Sequence, residues 1–483
     1  MNYKMMGKFL SQIMALEAAF LLPALAIGLG YGEFTAVKGI LYTMGIIAAV
    51  AGLLFLACRR AGKRFGARDG LACVGLAWIV LSLLGALPFT LSGAIPKYID
   101  AFFETVSGFT TTGASILSDV EALPKSLLYW RSFTHWVGGM GVLVFLLAIA
   151  PGSKDSGFTM HLLRAESPGP DVGKLVPKMR LTAIILYVIY IALTVIDFIF
   201  LLCGKMPVLD ALCTAFGTAG TGGFGVYNDS MTSCSPYIQN VTTIFMFLFG
   251  VNFSCYYLLL LRQFSSVFKD EELRTYIGIV ILAILIIMFN IRSLYDSWGE
   301  TLRHSAFQVS SIITTTGFTT ADYELWPALS KGVILSLMVL GACAGSTGGG
   351  LKIARALLLF KSLRRNTRQL TNPNQVQMVR NNGRPVSETV VSNTQAYLAA
   401  YVIIIIASYL LISLNGYSIG TNISAVLCCF NNIGPGMEAV GPTCNFSHMS
   451  TLSKLVLSAD MLAGRLEIFP MLILLSRSTW KKR

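Results

Sequence analysis

The chain has 483 residues, 54% of them hydrophobic and only 13% charged, about half the charged share of an ordinary soluble domain, which excludes disorder and argues against a soluble enzyme. The net charge is +13. The basic residues sit beside long apolar runs, as where Leu474 and Leu475 are followed by Arg477, Lys481, Lys482 and Arg483, so they read as membrane flanks rather than as a nucleic-acid surface.

A helix that crosses a bilayer needs about 20 apolar residues. Suitable runs lie at about 9–32, 36–58, 70–92, 132–150, 179–203, 238–261, 275–291, 331–360, 397–414 and 452–476. The first follows Lys4 and Lys8, but it outruns the roughly 7–15 apolar residues of a cleaved signal and is read as a retained span. Between several spans lie amphipathic segments of about ten to fifteen residues, too short to cross, each ending in a Thr/Gly cluster, which fits re-entrant half-helices. Basic residues divide 27 to 9 between the two sets of flanks, with Arg465 inside a span. The positive-inside rule then puts both termini in the cytoplasm and every cluster on the external side. Of the ten cysteines most lie in apolar stretches; Cys234 and Cys444, in polar outer segments, are the one pair for which a disulfide stays open. The histidines His135, His161, His304 and His448 are too scattered for a metal set.

The clusters repeat. Aligned on one glycine they read Thr110-Thr111-Thr112-Gly113-Ala114, Ala219-Gly220-Thr221-Gly222-Gly223, Thr314-Thr315-Thr316-Gly317-Phe318 and Asn431-Asn432-Ile433-Gly434-Pro435. In each following span glycines interrupt the middle: Gly138, Gly139 and Gly141; Gly250; Gly341 and Gly345; Gly464. The expected architecture is an all-α integral membrane protein of four tandem helix–pore-loop–helix repeats set pseudo-fourfold around one pore, after two extra N-terminal transmembrane helices. The divisions fall at 1–69 for the extra helices, then 70–177, 178–272, 273–385 and 386–483 for the repeats. Glycine after small hydroxylated residues lets backbone carbonyls turn inward. Four such loops around an axis replace a cation's hydration shell with carbonyl dipoles. Half-helices at 100–111, 208–219, 303–314 and 420–431 would aim their negative C-terminal ends at the centre, which favours a cation.

Together with Gly345-Ser346-Thr347-Gly348-Gly349-Gly350-Leu351-Lys352 in the third copy and Gly464-Arg465-Leu466-Glu467 in the fourth, the clusters resemble the TrkH/KtrB/HKT superfamily of potassium transporters over essentially the whole chain. The two helices before residue 70 resemble its TrkH branch. The resemblance implies a homodimeric, multi-pass potassium uptake protein of the bacterial inner membrane, with one pore per subunit and a cytosolic TrkA-type nucleotide-binding ring as gating partner. It implies a filter in which backbone carbonyls of Thr111, Thr112, Gly113, Thr221, Gly222, Thr315, Thr316, Gly317, Asn432, Ile433 and Gly434 hold K+, with no cofactor. Serine at the first filter glycine goes with sodium permeation in the plant branch, so Gly113 implies potassium selectivity.

Ala344, Gly345, Ser346, Thr347, Gly348, Gly349 and Gly350 fall inside the span at 331–360, where so many Gly, Ser and Thr residues do not hold a stable helix. A broken helix must face protein or a water-filled cavity. A packing kink is one reading; the resemblance implies the other, an intramembrane loop that obstructs the pore and moves on gating. Gly345 to Gly350 imitates the start of a Walker A motif, but Leu351-Lys352 stands where Lys-Ser/Thr is required and no strand precedes it. Arg465 lies about 22 Å along its helix, too deep to escape easily. It is either neutralised by Asp460 or Glu467 or acts as a cationic barrier, and the resemblance favours the barrier. The cytosolic stretch Lys361 to Arg384 carries six basic residues, which set topology or dock an acidic partner or anionic membrane lipid. The rival class is an ion-coupled secondary transporter, a K+ symporter with H+ or Na+ or a small-solute carrier; such folds use inverted repeats, whereas these copies run parallel. No constellation of catalytic groups is present, and no nucleic-acid partner is expected.

Overall fold

Prolines and glycines decide where these apolar runs stop being helix. The computed structural model describes residues 1–59, 66–141, 179–373 and 377–480; the end of the expected span at 132–150 and the linker after it lie outside the described residues. Among the described residues, six helices are long and apolar enough to cross a membrane: Tyr3–Gly30, Phe34–Ala57, Arg68–Leu91, Leu181–Cys203, Glu271–Asn290 and Glu388–Ser413. The first bends at Leu21, ahead of Pro23, and Asn2 caps its start by accepting the Met5 N–H at 3.1 Å. Phe34–Ala57 turns Leu53 and Leu56 outward, the exposure of a helix whose partner is lipid. The two ends of the chain meet, with the Tyr3 hydroxyl donating to the Trp480 carbonyl at 2.9 Å.

Four shorter helices, Tyr98–Phe109, Val208–Gly220, Trp298–Ile313 and Ile419–Phe430, have 12 to 16 residues, too few to cross. Their second halves are buried. Each is followed by a helix that the hydropathy reading extends as one span and that the structure breaks. Lys125–Met140 stops at Gly141, which has φ +84°; Ala328–Leu340 stops at Gly341, φ +69°. Pro236–Phe249 and Phe253–Leu260 meet at 89° across Gly250. Thr451–Arg465 ends before Glu467 and Ile468, both at positive φ, and Phe469–Leu475 resumes. The expected spans at 132–150, 238–261 and 452–476 are therefore corrected to helices broken after 14 to 16 residues, and the break expected inside 331–360 falls after Leu340.

Glycines just ahead of two of these breaks are required by close packing. A methyl group on Gly138 would lie 1.9 Å from the Phe109 carbonyl oxygen, and one on Gly464 would lie 1.8 Å from that of Phe430. These oxygens end the first and fourth short helices, so the broken helices must offer bare backbone there. Gly464→Ala is expected to destabilise the folded protein by about 1–3 kcal/mol through overpacking, while Gly278→Ala, with open space around its Cα, is neutral. Thermal unfolding of the two detergent-purified variants checks this.

A candidate functional site: four backbone turns in a ring

All four short helices end in the same way. The N–H groups of Thr112, Gly222, Thr316 and Ile433 return to Ser107, Gly217, Ser311 and Cys428 carbonyls at 2.8–2.9 Å, the six-to-one bond of a Schellman end. The residue before each is left-handed: Thr111 at φ +55°, Thr221 at +53°, Thr315 at +59° and Asn432 at +56°. Glycine normally takes that position; three threonines and an asparagine hold it here, and such strain concentrates at functional sites. Two residues on, Gly113, Gly223, Gly317 and Gly434 again have positive φ.

This geometry shifts the register of the second turn by one residue. Gly223, rather than Gly222, is the backbone counterpart of Gly113, Gly317 and Gly434, and Thr221 matches Thr111 rather than Thr112. Gly222 occupies the position of Thr112, Thr316 and Ile433, where a methyl group would lie 2.4 Å from the His135 ring. The other expected residues of the four clusters fall in the frame read from the sequence.

The turns close on one another in cyclic order. Methyl groups on Gly113, Gly223, Gly317 and Gly434 would lie 2.1 Å from the Gly222 oxygen, 1.9 Å from Thr316, 2.0 Å from Ile433 and 2.7 Å from Thr112, respectively. Each turn thus presses its glycine on a carbonyl of the next, and the fourth returns to the first. Side-chain bonds repeat in the first and third turns, where Thr110 and Thr314 donate to the carbonyls four residues back at 2.6 Å and lie 2.8 Å from the hydroxyls of Thr112 and Thr316. In the fourth, the Asn432 amide donates to Thr112 Oγ1 and to the Met461 carbonyl, both at 3.0 Å.

On one side of the ring, all four positive-φ glycines border an open cavity of about 110 Å³, together with Ser115, Arg131 and Asn228 among others. The chain segments above it are bonded around the same circle: Val120 N–H to Asn228 Oδ1 at 2.7 Å, Met231 N–H to the Thr319 carbonyl at 3.0 Å, Tyr323 hydroxyl to the Gly436 carbonyl at 2.6 Å, and Phe446 N–H to the Ser115 carbonyl at 2.8 Å. The acidic residues near this mouth have structural partners. The Asn228 amide holds the Asp119 carboxyl below the usual carboxylate range, and the Ser418 hydroxyl does the same for Glu438. Glu104 is buried against Arg131. Cys234 and Cys444 are both free thiols.

On the opposite side lies the loop that interrupts the third broken helix. Its Gly349 N–H donates to Thr315 Oγ1 at 2.7 Å, and methyl groups on Gly348 and Gly349 would lie 2.8 Å from the Thr314 oxygen and 2.5 Å from the Asn431 oxygen. The loop is laced to the second broken helix through Cys343 N–H to Gly250 carbonyl and Phe253 N–H to Gly345 carbonyl, both 3.1 Å. Glu272 Oε1 accepts from Ala344 N–H at 2.5 Å and from Ala354 N–H at 3.1 Å, tying the two limbs together. Arg465 reaches in from the end of Thr451–Arg465 and donates to the Thr347 carbonyl at 2.7 Å and to those of Gly138 and Gly139 at 2.5 and 2.6 Å. The acids offered as its neutralisers are engaged elsewhere: Asp460 accepts from Ser408 at 2.6 Å, and Glu467 pairs with Arg355 at 2.5 Å.

Sequence reasoning missed two charged residues of this assembly. Arg131 and Lys352, counted as flanking charges, are 3% and 2% exposed, and the Lys352 ammonium donates to the Gly348 carbonyl inside the loop. Adjacency to the glycine-rich stretch was a signal for Lys352; the equivalent signal for Arg131 was its place on the helix that carries Gly138 and Gly139.

The helices and the ring of inward backbone turns define a multi-pass helical membrane protein of the cation-transport kind. Residues 37–482 match the TrkH family, described as cation transport protein. The chain is 37% identical over 448 residues to the Trk system potassium uptake protein TrkH of Salmonella typhimurium, spanning 91% of this chain and 92% of that one. Against the protein of the same name from Vibrio parahaemolyticus it is 33% identical over 498 residues, spanning 100% of both, and against the Trk system potassium uptake protein TrkG of Escherichia coli it is 31% identical over 467 residues, spanning 95% of both. The crystal structure of the potassium transporter TrkH from Vibrio parahaemolyticus is similar with a TM-score of 0.88 at 30% identity, covering 100% of each chain. The chain belongs to the TrkH family, which consists of transporters rather than enzymes.

Proposed function

We propose that this chain conducts K+ into the bacterial cell through one pore per subunit, with the four turns as its selectivity filter. The observation that carries the reading is the cyclic closure of four left-handed turns at the C-terminal ends of four short helices, because carbonyl dipoles and helix ends of that polarity both favour a bare cation. The filter residues are Thr111, Thr112 and Gly113, Thr221, Gly222 and Gly223, Thr315, Thr316 and Gly317, and Asn432, Ile433 and Gly434. Four parallel repeats at 70–177, 178–272, 273–385 and 386–483 surround it pseudo-fourfold. The open cavity is its external mouth, and both termini are cytoplasmic; their contact on one face and the 27 to 9 charge division support that orientation.

The gate is the loop from Ala344 to Gly350 together with Arg465. The loop packs against the Thr314 and Asn431 oxygens that end the third and fourth short helices, where a departing K+ would pass, and the Arg465 guanidinium is a cation tethered there. A second copy of the chain and a cytosolic TrkA-type nucleotide-binding ring complete the uptake system. The basic helix Ile353–Thr371, with Arg364, Arg365 and Arg368 exposed or half-exposed, is the surface offered to the ring or to anionic lipid.

Reversal potentials of proteoliposomes in mixed K+ and Na+ test the reading. The wild-type chain is expected to follow the K+ gradient. Gly113→Ser, whose side chain would begin 2.1 Å from the Gly222 oxygen at a backbone φ of +82°, is expected to move the potential toward that of Na+. Flux that saturates and requires a second coupled ion would instead support the carrier.

A further inference from the structure

One junction of the ring differs from the other three. Between the second and third turns, the third and fourth, and the fourth and first, the bonds nearest the filter join backbone groups or uncharged side chains. The charged contacts that also link the third and fourth and the fourth and first, Glu438 N–H to the Glu324 carboxylate and Lys454 to Asp100, involve partly exposed carboxylates. Between the first and second, a buried ion pair does it. Glu104 and Arg131 have side chains 0% and 2% exposed, the deepest ion pair among the described residues, with Arg131 Nε 2.7 Å from Glu104 Oε1.

Both partners reach backbone next to the filter. Glu104, on the first short helix, also accepts from Ser115 Oγ at 2.9 Å and from Ile116 N–H at 2.9 Å, so it holds the chain just beyond Gly113. Arg131 donates through Nη1 to the Gly225 carbonyl at 3.0 Å and lies 3.6 Å above the Phe224 ring, just beyond Gly223. One helical turn further along the same helix, His135 closes the other face. Its Nδ1 lies 2.8 Å from the Gly108 carbonyl, its Nε2 accepts from Phe224 N–H at 3.3 Å, and its ring centroid is 4.1 Å from that of Phe224. One neutral tautomer satisfies both bonds. Phe224 is therefore gripped between a guanidinium and an imidazole four residues apart, while the same two side chains anchor the first short helix.

We infer that Arg131, charge-balanced by Glu104, is a specificity-setting positioning residue: it fixes the spacing between the first and second filter turns without touching the ion. This rests on the filter reading above. A filter discriminates ions of like charge by how closely its carbonyls keep their separation, and a site supported loosely from behind loses discrimination before it loses binding. The carboxylates in the charged contacts of the other junctions are partly exposed, with Asp100 at 22% and Glu324 at 24%, whereas both members of this pair are buried, so the ring's spacing is set most firmly at this corner.

The test separates positioning from simple stability. Arg131→Met alone leaves Glu104 buried and unpaired, and is expected to lower the yield of folded protein. The double variant Arg131→Met/Glu104→Gln carries no unpaired charge and is expected to recover that yield, yet nothing in it holds the Gly225 carbonyl or faces the Phe224 ring with a cation. Its permeability for Na+ relative to K+, read from reversal potentials of the full-length chain in proteoliposomes, is expected to rise roughly tenfold, the order of loss that follows a small misplacement. Phe224→Leu is the second variant; it keeps the ion pair and removes the gripped ring, and a smaller rise in the same ratio is expected. A wild-type ratio in whichever of the two accumulates overturns the inference. Gly113→Ser in the same assay distinguishes the failures: if it shifts the ratio and the clamp variants do not, only the clamp is wrong, and if it too is silent the filter reading falls.

Discussion

Arg465→Ala is expected to raise basal K+ flux about tenfold or more, measured as rubidium uptake into proteoliposomes without any regulatory partner. The side chain bonds three carbonyls that belong to two different repeats, and hydrogen bonds from a charged donor are worth about 1.5–3 kcal/mol each. Losing even one bond's worth of bias toward the closed arrangement changes its population about tenfold. Arg465→Lys divides the two contributions: it keeps the positive charge, but an ammonium does not reproduce the planar fork that spans Thr347 and the Gly138–Gly139 pair. If charge alone blocks the path, the lysine variant stays closed. If the link between repeats matters, it leaks almost as much as alanine. A folded alanine variant with wild-type flux removes Arg465 from the gate.

Gly223→Ala is expected to abolish selective uptake, with growth of a potassium-uptake-deficient bacterium on low K+ as the first readout and reversal potential as the second. The left-handed backbone alone costs an L-residue about 1–2 kcal/mol, and the methyl group would sit 1.9 Å from the Thr316 oxygen, a backbone atom with nowhere to retreat. The expectation follows from the observed register, since the frame read from the sequence gives this role to Gly222. Gly225→Ala, two residues away, meets its nearest atom only at 3.2 Å and has no positive φ, and is expected to retain most of the uptake.

That one-residue shift shows where reading the sequence ran out. Gly222 and Gly223 are adjacent, and nothing local says which takes the positive φ; the His135 ring, 87 positions away in the chain, decides it by occupying the space beside Gly222. The four Thr/Gly clusters, by contrast, were legible because each follows a half-helix in the same phase, and the motif around Gly345 to Lys352 carried the family. The third broken helix was legible in its Gly/Ser/Thr run, but the other three breaks were hidden for another reason. Hydropathy averages over a window, so Gly141 or Gly250 barely dents a run whose neighbours are Val, Leu and Phe, although the backbone turns there by as much as 89°. The partners of Arg465 lie 118 and 327 positions away, and the Glu104–Arg131 pair joins a carboxylate to a cation that charge counting had placed among the outer flanks.

The strained turns also bear on how the molecule is made. Thr111, Thr221, Thr315 and Asn432 each hold a conformation that an isolated chain leaves, and the contacts that enforce it come from other repeats: Asn432 to Thr112 spans 320 positions, and Phe446 to Ser115 a similar distance. While the chain emerges from the ribosome, the first turn can lean on the second but lacks its contacts with the fourth until the last quarter of the protein has been inserted. Closure of the ring is thus the last step in assembling this molecule. A truncation that spares the first three repeats is expected to leave helices in the membrane with no assembled passage between them, so an unfinished copy does not leak.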